Sequence, residues 1–207
     1  ERNMAFATID VTKGITGTIP VANGGTGLAS GTTGQFLKFT GSTTLASAAD
    51  NIGGITMADM WSITSSFTGS ANPIASGWEQ NDEESFTALG SSMSQSSGVF
   101  TFPSTGIYYV TFSVMSEANS LTNDMFNIII QAEIGNGYND TAYGQSSINN
   151  IGSAHGMQCT INTIVDITNT STCKVRFVIE NAGSDVYIHG GTNRRHTYAT
   201  FIRLGDT

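Results

Sequence analysis

From Met60 to the carboxyl terminus, apolar side chains recur at every second position, which is the spacing of one face of a β-strand. The segments Phe126–Ile134, Val175–Ile179 and Tyr198–Leu204 alternate in this way, whereas Ile107–Met115 is apolar at both parities. Glycine, asparagine and serine residues, which favour turns, separate these segments. The pattern therefore predicts an all-β domain, either a β-sandwich or a jelly roll.

Composition supports an all-β protein over a helical one. The 207 residues include 28 Thr, 23 Ser and 24 Gly, while only 12% are charged. Small polar and β-branched residues suit pleated sheets and turns, and helix surfaces normally need more Glu, Lys and Arg. The hydrophobic fraction of 39% is enough for a packed core, which argues against a disordered chain.

The first 57 residues differ from the remainder. Glycines recur between Gly14 and Gly41, with only short apolar pieces such as Ile19-Pro20-Val21 and Phe36-Leu37 between them. No periodic face in this stretch is long enough to build a core. We therefore expect residues 1–57 to form an extended glycine-rich segment that folds against copies of itself, and residues 58–207 to form the β domain.

The distribution of charge limits the possible partners. No lysine or arginine lies between Lys38 and Lys174, and eleven acidic residues lie in that interval of 135 residues. Such a surface repels phosphate, so the sequence predicts no nucleic-acid partner. It also disfavours anionic membranes, and no run of 18 apolar residues is present to insert into a bilayer.

The segment Ile107–Met115 bears on assembly. A strand that is apolar on both faces needs cover on both sides, whereas each sheet of a two-sheet sandwich normally has one face in water. A second copy of the chain is the simplest cover. The sequence therefore predicts a homo-oligomer with cyclic symmetry.

Two segments of the β domain resemble a known family. The residues Phe102-Pro103-Ser104-Thr105-Gly106-Ile107-Tyr108-Tyr109-Val110-Thr111-Phe112 resemble the strand-turn-strand signature of C1q/TNF-like jelly rolls, and Thr197–Ile202 resembles their last strand. The resemblance covers residues 58–207 and implies a homotrimeric jelly-roll head. On this basis we expect three residues at the trimer interface, namely Trp61, Tyr109 and Phe201.

The glycine-rich segment resembles a different group of proteins. Pro20–Gly27 and Gly34–Lys38 are similar to a short module of phage tail fibres, while Ala58–Trp61 and Ser96–Pro103 are similar to segments of marine and cyanobacterial phage structural proteins. The resemblance implies a virion fibre at the particle surface. Its first segment would bind other virion structural proteins, and its head would bind a host-surface glycan or protein.

Two alternatives to this function stay open. In one, the protein is a head-decoration or neck fibre of a virion, and the jelly roll only trimerises and caps the shaft. In the other, it is a secreted cellular C1q-like adhesion module. The absence of a strict Gly-X-Y repeat excludes collagen itself.

No motif in the sequence predicts catalysis. Gly24-Gly25-Thr26-Gly27 lacks the flanking helix and lysine of a phosphate loop, and Asp82-Glu83-Glu84 lacks the spacing of a calcium loop. The three histidines lack the close spacing of a metal site, and no Gly-x-Ser-x-Gly elbow is present. We therefore expect no enzymatic activity, cofactor or metal.

A basic and aromatic cluster in the last third of the chain is the predicted ligand-binding site. In a C1q-like topology, the connections at Thr68–Trp78, Ser116–Asp124, Asn149–Gly156 and Gly183–Arg195 lie at one end of the domain. The candidate residues in or beside them are His155, Tyr187, His189, Asn193, Arg194, Arg195 and His196. Arginine binds carboxylates in a bidentate manner, as acidic surface sugars would require. The alternative is that Arg194 and Arg195 pair with Asp185 or Glu180 in a solvated loop.

The two cysteines, Cys159 and Cys173, are too few for a disulfide scaffold or a zinc site. Both share parity with core residues of successive strands, which lie in opposite sheets of a jelly roll. We therefore expect both to be buried, reduced and unlinked.

Overall fold

In this computed structural model, the described residues are 18–19, 25–28, 30–42, 44–48, 54–81, 86–118, 124–148 and 155–207. The chain divides into two compact units, Glu1–Ile52 and Gly53–Thr207. The sequence predicted the boundary between the glycine-rich segment and the β domain between residues 57 and 58. Most of the segment Pro20–Gly27 and the acidic triplet Asp82-Glu83-Glu84 lie outside the described residues.

The described part of the first unit contains an antiparallel hairpin. Its strands are β1 (Phe36–Gly41) and β2 (Thr44–Ala48), and their register shifts between Phe39 and Gly41. The side chains of Phe36, Leu37 and Phe39 are each more than half exposed. The hairpin therefore leaves its large apolar side chains largely uncovered.

The second unit is a sandwich of two antiparallel sheets. The seven-stranded sheet contains β3 (Ala58–Ile63), β4 (Phe67–Thr68), β5 (Trp78–Gln80), β8 (Gly106–Ala118), β11 (His155–Ile167), β13 (Val186–Ile188) and β14 (Tyr198–Gly205). The five-stranded sheet contains β6 (Ser94–Ser96), β7 (Val99–Thr101), β9 (Asp124–Glu133), β10 (Tyr138–Ile148) and β12 (Lys174–Glu180). Among the described residues there is no helix that could cross a membrane.

Strand β8 organises the seven-stranded sheet. One of its edges pairs with β11 along the whole strand, and the other pairs first with β14 and then with β13. Strand β14 pairs in turn with β3, and β3 pairs with β5. The second sheet has the order β10-β9-β12-β7-β6. Strands β9 and β10 form a hairpin within the five-stranded sheet. The chain crosses between the two sheets from β8 to β9, from β10 to β11, from β11 to β12 and from β12 to β13, which agrees with the predicted jelly roll.

The core lies between the two sheets and is rich in aromatic rings. Tyr108, Val110 and Phe112 of β8 are fully buried, which shows that the even positions of this strand face inward. The Phe112 and Phe177 rings join the two sheets at a centroid distance of 4.7 Å. Burying each side chain of this size stabilises the fold by about 1.5–3 kcal/mol.

The segment Phe102–Phe112 has a local structural explanation. The Phe102 and Tyr108 rings pack at 4.6 Å, and the Tyr108 hydroxyl donates a hydrogen bond to the Ser104 carbonyl at 3.0 Å. Gly106 has φ of 144°, and a Cβ at this position would lie 2.5 Å from the Gly205 carbonyl oxygen. Only glycine fits there, because the backbone of β14 approaches too closely for a side chain.

A buried carboxylate joins three segments at the start of the sandwich. Asp59 in β3 is completely buried, and its Oδ1 accepts hydrogen bonds from the Met60 backbone N–H at 2.9 Å and Gln80 Nε2 at 3.0 Å. Its Oδ2 accepts from Trp61 Nε1 at 2.9 Å and the Met93 backbone N–H at 2.8 Å. Asp59 therefore links β3 to β5 and to the segment before β6, and it orients the Trp61 indole.

The cysteines lie in different sheets. Cys159 is in β11 and Cys173 directly precedes β12, and both are free thiols. Cys173 is buried as expected, whereas Cys159 is only half-buried. Burial raises the pKa of the Cys159 thiol, so the neutral form predominates at neutral pH. We expect the denatured, unreduced protein to show the mass of two free thiols. A mass lower by two hydrogens, in a sample with no intermolecular adduct, would contradict this prediction.

Candidate functional site

The sequence-predicted ligand site lies at one end of the sandwich. Ala118, the last residue of β8, pairs with His155 of β11 and with Val186 of β13, and Tyr187 pairs with Thr68 of β4. We call this the Ala118 end. The expected grouping of connections at one end agrees with this register, although residues 119–123 and 149–154 lie outside the described residues.

The outward side of the seven-stranded sheet, called the outer face, is layered. Ile164, Tyr109 and Ile202 lie in register across β11, β8 and β14 and form an apolar row. Ile164 is 62% exposed, and nearby Leu204 is 52% exposed. Tyr109 and Ile202 are half-buried. A polar layer follows toward the Ala118 end.

The polar layer is hydrogen-bonded within the sheet. Ser113 Oγ lies 2.8 Å from Thr160 Oγ1, and Gln158 Nε2 donates to Ser113 Oγ at 2.9 Å. These hydroxyl and amide groups point away from the core because they occupy the odd positions of β8 and their partners in β11. The outer face therefore changes from apolar to polar along the strands.

A ring cluster occupies the outer face near the Ala118 end. The Tyr187 and His189 rings meet edge to face at 4.9 Å, and the His189 and His196 rings meet at 5.6 Å. His189 Nε2 lies 3.0 Å from Glu117 Oε2. With a proton on Nε2, the imidazole donates to this carboxylate, which fixes the ring orientation. We call Tyr187, His189, His196 and Glu117 the ring cluster.

The loop between β13 and β14 is held by close backbone contacts. Gly190 N donates to Ser66 Oγ at 2.9 Å, and Gly191 N donates to the Ile63 carbonyl at 2.8 Å. A Cβ on Gly190 would lie 2.5 Å from the Ser65 carbonyl carbon, so only glycine allows this approach. These contacts fix the backbone from which His189 and His196 project.

The remaining predicted ligand residues have different environments. Asn193 and Arg194 are exposed in the same loop, whereas Arg195 is half-buried and makes an interaction within the protein. His155 begins β11 opposite Ala118. The structure thus brings Tyr187, His189 and His196 together, and places Asn193 and Arg194 beside them along the chain.

Glu117 was missed by the sequence analysis. It occupies an odd position of β8, the same parity as Tyr109, and therefore lies on the outer face. Its contact with His189 joins positions 72 residues apart in sequence. The odd position of Glu117 in β8 could have predicted that it lies on the outer face. Its partner, His189, is identified only by the pairing of β13 with β8.

The three residues expected at the trimer interface lie on different sides of the seven-stranded sheet. Tyr109 lies on the outer face, as a trimer contact requires, but Phe201 is completely buried inside the protomer. Trp61 also faces inward, where its ring meets Phe100 edge to face at 5.6 Å. Phe201 is therefore a core residue and Trp61 is a partly buried residue packed against the core. Their pairing partners in β8 and β14 place both on the inward side of the sheet.

The chemistry available at the ring cluster is recognition by hydrogen bonds and ring contacts. Within the described residues, no group of three or more His, Cys, Asp or Glu side chains is arranged to hold a metal ion. The cluster presents two imidazoles, a phenol and a carboxylate next to an exposed guanidinium. Such a set suits a polar ligand with both donors and acceptors.

Comparison with known proteins identifies the fold. No protein-family model matches the chain, and neither does any curated protein. Among solved structures, the chain is similar to murine APRIL at pH 5.0, with a TM-score of 0.51, 10% identity, and coverage of 72% of this chain and 98% of that one. It is also similar to Eiger TNF from S. frugiperda, with a TM-score of 0.55, 10% identity, and coverage of 74% and 96%. The second unit is therefore a TNF-like jelly roll, as the resemblance predicted.

Proposed function

We propose that the chain is a homotrimeric virion fibre protein whose jelly-roll head binds a host-surface ligand. The observation that carries the trimer is the apolar row of Ile164, Tyr109 and Ile202 on the outer face. Ile164 is 62% exposed, and Tyr109 and Ile202 are half-buried in the protomer. Apolar side chains left accessible to solvent in one row mark an interaction surface. The fold supports the same assembly, since C1q/TNF-like jelly rolls are the trimeric heads that the sequence resembles.

The first unit supports attachment of the fibre to a particle. Its hairpin presents Phe36, Leu37 and Phe39 to the exterior, and such side chains are available for contacts with copies of the chain or with other virion structural proteins. The phage-fibre module of the sequence includes Phe36 and Leu37. On this proposal the first unit binds other virion structural proteins, and the protein lies at the surface of a virion.

Host attachment is assigned to the ring cluster and the loop beside it. Three copies of a weak site on one head, and several heads on one particle, bind much more tightly than one site alone. Exposed Arg194 supplies a cation for carboxylates of acidic surface sugars. The ligand class is a host-surface glycan or protein, and we expect no cofactor and no catalysis.

Replacing Asn193 and Arg194 together by alanine should weaken attachment about tenfold or more, because a small loss per site is multiplied over three sites. Both side chains are exposed, so the melting temperature and trimer mass should change little. Binding of the purified, fluorescent protein to a panel of candidate host bacteria measures the effect. Raising the salt from 0.1 to 1 M should also weaken wild-type attachment, since screening shortens from about 10 Å to about 3 Å.

Lys38→Ala is the matched control, because Lys38 is an exposed cation in the hairpin of the first unit. This variant should attach like the wild type. Equal attachment by the Asn193/Arg194 variant would remove the loop from the binding site. It would favour the alternative in which the jelly roll only trimerises and caps a structural fibre.

A further inference from the structure

A cleft separate from the ring cluster lies in the connection between β3 and β5. Its volume is about 360 Å³. It is lined by Ser65, Ser66, Phe67, Ala71, Pro73, Ile74, Ala75, Ser76 and Gly77. The lining contains serine hydroxyls, one aromatic ring and aliphatic carbon, and it contains no charged side chain. The size falls in the range of small-molecule sites, about 300–1,000 Å³.

The walls of the cleft are tied to the sandwich on both sides. On one side, Thr64 N donates to the Gly77 carbonyl at 2.8 Å, and Ser66 Oγ receives a hydrogen bond from Gly190 N. On the other side, Ala71 exchanges two backbone hydrogen bonds with Ile179, each at 2.9 Å.

The base of the cleft is also fixed. Ile74 N donates to the Phe177 carbonyl at 2.9 Å, and Trp78 Nε1 donates to the Ile74 carbonyl at 2.7 Å. A cavity with walls and base held in this way is preformed, so a ligand would not have to order the loop when it binds.

The polar groups at the rim are available for a ligand. Ser65 and Ser76 are exposed, and their hydroxyls make no hydrogen bond with another described residue. Each hydroxyl can donate one hydrogen bond and accept others. Phe67 adds an aromatic ring, whose electron-rich face attracts the weakly positive C–H groups of a sugar ring.

From this lining we propose that the cleft binds one neutral hexose residue. The serine hydroxyls at the rim can form hydrogen bonds with the hydroxyls of a sugar. The C–H face of the sugar ring can pack against Phe67, Pro73 and Ile74. Because the lining has no charged side chain, we expect no preference for the acidic uronic or sialic acids. The cleft lies within one protomer. The proposal therefore depends neither on the trimer nor on a role in a virion.

Saturation-transfer NMR with methyl glycosides of glucose, galactose and mannose tests the proposal on the full chain. We expect saturable binding of at least one glycoside with Kd of about 1 mM, the scale that a ligand of this size reaches at ordinary ligand efficiency. Methyl glucuronide should bind no better than the glucoside. Ala75→Trp, at an exposed position of the rim, should fill the cleft and abolish the signal.

Phe67→Leu removes the ring but keeps an apolar side chain, and it should weaken binding about two- to twelvefold. Thr172→Trp is the control, because Thr172 is an exposed turn residue that does not line the cleft, and this variant should bind like the wild type. No saturable binding by the wild type would overturn the proposal. Equal binding by folded Ala75→Trp, equal loss in Thr172→Trp, or preference for the glucuronide would also overturn it.

The glycoside-binding test and the host-attachment test can fail independently. The Asn193/Arg194 variant leaves the cleft intact and should keep full glycoside binding while it loses attachment. Loss of glycoside binding in that variant would contradict the separation of the two sites.

Discussion

Replacing Ile164 by aspartate is expected to convert the proposed trimer into monomers at micromolar concentration. Ile164 is 62% exposed in the protomer and lies in the apolar row with Tyr109 and Ile202. In a trimer that covers this row, the change forfeits about 1.5–3 kcal/mol of apolar burial per subunit. It also places an unpaired carboxylate in a dry interface, which costs several kcal/mol more.

The protomer itself should tolerate this substitution. An exposed side chain contributes little to the core, so the far-ultraviolet circular dichroism of Ile164→Asp should match the wild type. Sedimentation equilibrium should give about three chains for the wild type and one for the variant.

Ile134→Asp provides a matched control. Ile134 is 60% exposed, almost the same as Ile164, but it follows β9 in the five-stranded sheet and is not part of the outer face. This variant should remain a trimer. A monomeric wild type, or a trimer that survives Ile164→Asp, would contradict assembly through the outer face. Dissociation by both variants would show that added charge alone is responsible.

The alternation of apolar and polar residues along the sequence was sufficient to predict most of the long strands. The predicted segments Ile107–Met115 and Tyr198–Leu204 correspond to β8 and β14 with nearly the same limits. Strand β10, Tyr138–Ile148, was not predicted, because most of its residues are polar or small and it lies at the edge of its sheet. Its strand conformation depends on pairing with β9, which a short sequence window does not contain.

Parity predicts which residues share a face of a strand, but pairing between strands determines which face is buried. Phe201 and Trp61 were expected at the trimer interface, yet Phe201 pairs with Val110 and Trp61 pairs with Ala199, all on the inward side. The same limitation applies to the ring cluster. The rings of His189 and His196, which the sequence grouped together, lie 5.6 Å apart. The contact between His189 and Glu117 depends on the pairing of β13 with β8.

The resemblance of Ala58–Trp61 to phage structural proteins gave no physical role for Asp59. The structure supplies one, because this buried carboxylate accepts four hydrogen bonds from β3, β5 and the segment before β6. Without the carboxylate, the N–H groups of Met60, Trp61 and Met93 would each lose this partner, while Gln80 Nε2 would keep its hydrogen bond to Ser92 Oγ at 2.8 Å. Asp59 is therefore the position at which one polar substitution should affect stability most strongly.

Asp59→Asn is expected to lower the free energy of unfolding by about 3–6 kcal/mol. The asparagine amide nitrogen replaces one carboxylate oxygen, so two of the four N–H donors face another donor, and each charge-assisted hydrogen bond lost costs about 1.5–3 kcal/mol. With an m-value of about 2–3 kcal/mol/M, the urea midpoint should fall by about 1–3 M. Trp61 fluorescence should change as well, because its indole loses or reorients its hydrogen bond.

Asp140→Asn is the control for Asp59→Asn. Asp140 is an exposed carboxylate that accepts a hydrogen bond from Gln131 Nε2 at 2.8 Å, and an amide oxygen can accept the same bond. The free energy of unfolding should change by less than about 0.5 kcal/mol. All proteins must be unfolded at one concentration, because assembly links stability to concentration. If Asp59→Asn unfolded at the same urea midpoint as Asp140→Asn, the buried carboxylate could not be what holds β3 to β5 and to the segment before β6.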